Sequence, residues 1–146
     1  VNLSPHFTLA EMTVSQEAAR SGLKNKPNED QEAALLLLCL NVIEPLRVRV
    51  RRPVIVSSGF RSVTLNRRIG GSSRSQHCKG EAVDFAIPGM VVAEVVMLVR
   101  RMKLPFDQLI DEFGAWVHVS HARTGSQRGT VMTARHVGGK TQYRVI

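Results

Sequence analysis

The sequence predicts an α+β domain with N-terminal helices packed on a mainly antiparallel sheet. Three observations predict it. Helix-capping signals crowd the first third of the chain. Short β-branched or alternating runs dominate the later part, and glycine-centred turns join several of these runs into hairpins. The 146 residues fit one compact domain, residues 1–146. At 43% hydrophobic, they can bury a core without disulfide staples.

Thr13-Val14-Ser15-Gln16 has the spacing of a capping box, and a short helix to about Arg20 follows, closed by Gly22. Asn28 with Gln31 opens a second, longer helix through the leucine run to about Glu44. Pro45 ends or kinks it. The middle of this helix is apolar nearly all round, which places it deep in the core. Val54-Ile55-Val56 reads as a buried strand feeding Ser57-Ser58-Gly59-Phe60-Arg61. A short helix over about Val63 to Ile69 stops at Gly70-Gly71, and Ser72 to Ser75 is loop. Ala82 to Ala86 is a strand, and Pro88-Gly89 separates it from an amphipathic helix over Met90 to about Met102. Gln108-Leu109-Ile110 and Trp116 to Ser120 are strands joined by a turn at Gly114. The tail forms a hairpin around Gly138-Gly139.

Net charge is +8, from 20 Lys+Arg against 12 Asp+Glu. This balance favours polyanionic partners such as nucleic acid, anionic lipid or an acidic cell-wall polymer. The basic residues are scattered in small clusters, as at Arg47 to Arg52, Arg67-Arg68 and Arg100-Arg101, and no nucleic-acid motif frames them, so no nucleic acid is expected as partner. The longest apolar run, Ala33 to Val42, is too short to span a bilayer, so no stable membrane insertion is expected. The N-terminal residues carry no basic-then-apolar secretory signal. Cys39 lies in the apolar run and reads as a small buried hydrophobe, and two cysteines make no disulfide framework.

The chemistry concentrates in Ser75-Gln76-His77-Cys78-Lys79-Gly80-Glu81-Ala82-Val83-Asp84. A histidine stands in a glycine-flanked loop, an aspartate follows seven residues on within a strand, and His118 sits in a separate strand between valines. Aspartate is disfavoured in strands, and when buried it needs a partner for which a metal suffices. Imidazole and carboxylate are both good zinc ligands, and three of them leave a fourth position for water. If Val117 and Val119 face the core, His118 faces the other side of the sheet, where a cleft can lie. A lone strand histidine is more often structural, so spacing alone does not decide the matter.

Ser75 to Asp84, followed about thirty residues later by Trp116-Val117-His118-Val119-Ser120, resembles the D-Ala-D-Ala carboxypeptidase-like zinc peptidases, whose Hedgehog/DD-peptidase-like fold is shared by Hedgehog signalling domains. Ser57 to Ser62 is similar to their Ser-Gly-Tyr-Arg-Ser segment. Pro5 to Glu11, and Leu65-Asn66 with Gly70-Gly71-Ser72, resemble the small phage and prophage branch. The resemblance implies one zinc ion held by His77, Asp84 and His118. It implies a catalytic carboxylate shortly before the last histidine, and Glu112, six before His118, fits better than Asp111. It sets Arg61 opposite the scissile carbonyl. Ser75 either contacts substrate or braces the ligand loop, and Trp116 stands where several relatives carry a second histidine. Cys78 reads as packing rather than as a ligand. His6, His121 and His136 are expected outside the ligand set. The implied substrate is the stem peptide of bacterial peptidoglycan. The setting expected is a monomeric, single-domain phage endolysin that accumulates in the cytoplasm of the producing cell and meets the wall after the membrane is breached. The alternatives are a non-catalytic zinc module of the same fold and a basic nucleic-acid-binding domain.

Overall fold

The computed structural model describes all residues, 1–146. A short strand pair, β1 (Asn2–Ser4) and β2 (Phe7–Thr8), opens the chain where no strand was expected. Helix α1 (Gln16–Ser21) is capped by Ser15, whose side chain accepts from Ala18 N, rather than by Thr13, and Gly22 closes it in the left-handed region. Helix α2 (Glu29–Leu38) starts with the expected reciprocal box between Asn28 and Gln31.

The long helix does not end at Pro45. One turn of π-helix, Cys39–Ile43, carries it into α3 (Glu44–Val50), with Pro45 in the first turn of the new segment. Proline lacks an N–H and is tolerated at a helix start, and the wider π turn supplies that start within a continuous rod. The helix is also less uniformly buried than its apolar run suggests. Leu35, Leu38, Cys39, Val42, Ile43 and Leu46 are fully buried, whereas Leu36 and Leu40 face solvent.

Strand β3 (Ile55–Ser58), α4 (Val63–Arg68), β4 (Ala82–Ala86), α5 (Val92–Arg101), β5 (Gln108–Glu112), β6 (Trp116–Ser120), β7 (Thr130–Val137) and β8 (Lys140–Val145) complete the α+β fold. The larger sheet has the order β3-β4-β6-β5-β7-β8. All its pairings are antiparallel except β5 with β7. The hairpin β7–β8 turns at Gly138 and Gly139, both at positive φ, as a two-residue loop requires. β3 is an edge strand, and the expectation of a buried strand holds for Val54 but fails at the exposed Ile55.

Strand alternation divides the sheet into two faces. Val83, Phe85, Leu109, Val117, Val119 and Val131 enter one apolar core with residues of α2, the π turn, α3 and α5. Asp84, His118, Ile110 and Glu112 alternate with them and occupy the opposite face. No helix is long and apolar enough to cross a membrane.

Candidate metal centre

Asp84 on β4 and His118 on β6 are direct register partners, which sets their side chains next to each other on the open face. His118 Nδ1 lies 2.9 Å from Asp84 Oδ1. His77 reaches the same point from a single 3₁₀ turn, Gln76–Lys79, more ordered than the open loop expected there. The ligating atoms of His77, Asp84 and His118 lie within 4.8 Å of one another.

Each end of the 3₁₀ turn is fixed. Ser75 caps it, its Oγ accepting from His77 N at 3.2 Å. Gly80 ends it at φ 71°, and a Cβ there would sit 2.4 Å from Gln31 O. Gln31 Nε2 donates to Cys78 O at 3.1 Å, so the residue that completes the α2 capping box also holds the turn. Behind it, Gln76 Nε2 donates to the buried Asp107, which Arg128 grips through its backbone N and its guanidinium.

The tautomer of His77 follows from its neighbours. Nδ1 lies 2.7 Å from Gly59 O, and a carbonyl only accepts, so Nδ1 carries the hydrogen. Nε2 then presents a lone pair. It is buried, 3.3 Å from Asp84 Oδ1 but off hydrogen-bonding geometry, and no protein donor satisfies it. A buried lone pair facing a carboxylate oxygen is unfavourable unless a cation lies between them. The donor set therefore fits a metal ion, and two imidazole nitrogens with one carboxylate are zinc-type ligands. Burial pushes the His77 pKa below its ordinary value, favouring the neutral, ligating form. Burial would raise Asp84, yet the hydrogen bond from His118 outweighs it and holds the carboxyl well below the usual carboxylate range.

All of the predicted site residues, Arg61, Ser75, His77, Asp84, Glu112, Trp116 and His118, line one cleft of about 900 Å³. Asp111 and Glu112 diverge as strand alternation requires. Asp111 accepts from Gly114 N at 2.8 Å and from Arg135 Nη1 at 3.1 Å, and so ties up the β5–β6 turn. Glu112 faces the cleft, and burial raises its pKa.

Arg61 is held more firmly than a loop arginine at a strand end suggests. Nε donates to Ser58 Oγ at 3.2 Å and Nη1 to Asn66 Oδ1 at 3.0 Å, while Nη2 stands 3.8 Å from Asp84 Oδ2. The remaining histidines lie outside the cluster. His6 pairs with Glu44 at 2.6 Å, His136 stacks on Phe113, and His121 is buried 3.5 Å from Asn41. Cys78 is half-buried and does not join the cluster.

Sequence reasoning missed the supporting residues Gln31, Gly59 and Asn66. It also missed the far wall of the cleft, which includes Arg128, Met132, Thr141 and Tyr143. Only the alternation of Thr141 and Tyr143 along one strand could have signalled part of that wall.

A stretch of 34 residues is 52% identical to the zinc D-Ala-D-Ala carboxypeptidase of Streptomyces albus G, covering 23% of this chain and 13% of that protein. The chain thus aligns with a small part of that relative's length. The match to the sequence model described as Peptidase M15 is far broader, covering residues 5–120. That span takes in His77, Asp84, His118, Arg61 and Glu112, and on it the chain belongs to the peptidase M15 family.

Proposed function

We propose that residues 1–146 form one catalytic domain, a zinc peptidase that hydrolyses the stem peptide of bacterial peptidoglycan. The observation that carries the reading is the buried, unsatisfied Nε2 of His77 beside Asp84 and His118. In this reading the three side chains hold one zinc ion. Zinc, when bound, polarises a substrate carbonyl and lowers the pKa of its water towards about 7.

Glu112 then serves as general base. Its carboxylate takes a proton from the attacking water as the C–O bond forms, and returns it to the leaving amine as the C–N bond breaks. Arg61, fixed by Ser58 and Asn66, donates to the carbonyl oxygen as negative charge develops there. Ser75 positions His77 through its cap and Trp116 lines the cleft, so the two act in substrate binding or in its support.

The stem peptide is favoured as substrate because the cleft carries Arg61, Arg74 and Arg128 on its walls, which suits a carboxylate-bearing peptide. The local identity to a D-Ala-D-Ala carboxypeptidase points the same way. The cleaved bond is D-Ala-D-Ala or L-Ala-D-Glu. A phage endolysin is the proposed setting, on the resemblance of Pro5 to Glu11 and of Leu65 to Ser72 to that branch. Digestion of purified peptidoglycan, with mass analysis of the fragments and metal analysis of the same enzyme, tests the reading. New stem-peptide termini from wild type, absent with His118→Ala, are expected. Full zinc content with intact wall would instead identify a non-catalytic zinc module.

A further inference from the structure

Glu112, Ala134 and Tyr143 are successive register partners across β5, β7 and β8. Laterally paired residues of a sheet share a face. Glu112 shares its face with Ile110, the partner of His118, so Tyr143 stands on the cleft face, two strands beyond Glu112. At about 4.8 Å per strand, the two backbones are roughly 10 Å apart. The intervening residue is Ala134, whose methyl is small and fully covered. Thr141, two residues earlier on the same face, and Met132 line the cleft with it. Tyr143 also registers the site electrostatically. Burial and the charges of Glu112 and Asp84 push its pKa up, which keeps the hydroxyl protonated and able to donate.

Tyr143 is 55% exposed on an edge strand, where tyrosine is common. Two features set it apart from a residue that only meets solvent. It lines a concave wall shared with the metal cluster, and its row leads directly to the proposed base. The wall is built by a hairpin beyond residue 120, outside the matched span of 5–120.

We infer that Tyr143 is a substrate-binding residue, whose phenol donates a hydrogen bond to a carbonyl or carboxylate oxygen of the bound peptide on the Glu112 side of the cleft. The inference rests on the peptidase reading above and adds the element that selects its substrate. The hairpin β7–β8 acts as a specificity wall, with Arg61 at the opposite edge of the sheet.

The test uses a synthetic pentapeptide stem ending in D-Ala-D-Ala, with wild type, Tyr143→Phe and Tyr143→Ala. Cleavage gives kcat and KM. Binding is read separately from the fluorescence of Trp116, the only tryptophan, which lies in the same row as Glu112. Loss of one neutral hydrogen bond predicts that Tyr143→Phe weakens binding and raises KM about threefold to tenfold. Tyr143→Ala weakens both further, while kcat, zinc content and Tm stay close to wild type. Wild-type binding and KM in both variants would overturn the inference. If wild type binds the peptide without cleaving it, the peptidase reading fails, and the fluorescence titration still decides Tyr143. If wild type neither binds nor cleaves, both fall.

Discussion

Single residues divide the work of the cleft by which side of a strand they occupy. Adjacent acids on β5 have separate duties: Asp111 secures the turn through Gly114 and Arg135, and Glu112 alone faces the cluster. Glu112→Gln should retain zinc and fold yet lose about two to four orders of magnitude in rate, the range for removing a general base. Asp111→Asn should cost Tm rather than kcat. Kinetics and melting on the two variants check this, and the opposite pattern would exchange their roles. Arg61 calls for a different expectation. It follows a strand end, yet its guanidinium bonds Ser58 and Asn66 and faces Asp84. Lysine cannot reproduce that fork. Arg61→Lys should lower kcat by about a hundredfold, the scale of one lost oxyanion donor. It should also lower stability by about 1–2 kcal/mol through the two side-chain hydrogen bonds. Near-normal kcat with reduced Tm would make Arg61 structural.

At the scale of elements, the 3₁₀ turn that carries His77 is a suspended piece. It touches α2 through Gln31, β3's outgoing chain through Gly59 and Arg61 N, and the sheet through its continuation into β4. Gly80 makes the suspension possible, because a left-handed φ and a 2.4 Å approach to Gln31 O both exclude a side chain. Gly80→Ala should therefore displace the turn, and with it His77, while the core under the sheet stays packed. The expected result is a Tm drop together with zinc affinity at least tenfold weaker, measured by chelator competition. Unchanged affinity would mean that the turn is not what places His77. Much of this arrangement was legible. The Asn28–Gln31 box, the β4 and β6 strands and the Gly138-Gly139 hairpin are local signals, and local signals survive without tertiary context. Gln31's second bond, to Cys78 47 residues away, is a tertiary contact that no spacing rule encodes. The same holds for Pro45, where sequence offered either an end or a kink and a π turn instead carries the helix through.

On the scale of the whole molecule, the sheet separates stability from chemistry. Its inner face joins a core of 22 buried residues, and that core contains no member of the metal cluster. The division was readable in outline, since Val117 and Val119 flank His118. The parallel pairing of β5 with β7, which carries the C-terminal hairpin to the cleft, was not, because strand order depends on long-range contacts. The separation has a thermodynamic consequence. None of the core residues belongs to the cluster, so the apoprotein should fold. In the proposed ligand set, metal would add a clamp between the 3₁₀ turn, β4 and β6, and any ligand that binds only the folded state stabilises it by mass action. With zinc at about a hundred times its dissociation constant, that linkage is worth about 2.7 kcal/mol. For a chain of this size, it corresponds to roughly 5–10 °C in Tm. Thermal melts of the zinc-loaded protein with and without excess chelator should differ by that amount, with both transitions cooperative. His118→Ala should melt at one temperature in either condition, since the clamp has lost a jaw. Complete unfolding of wild type on chelation would contradict the division of the sheet into a stabilising face and a working one. Equal melting points with zinc demonstrably bound would show that the unfolded chain binds zinc as well as the folded one.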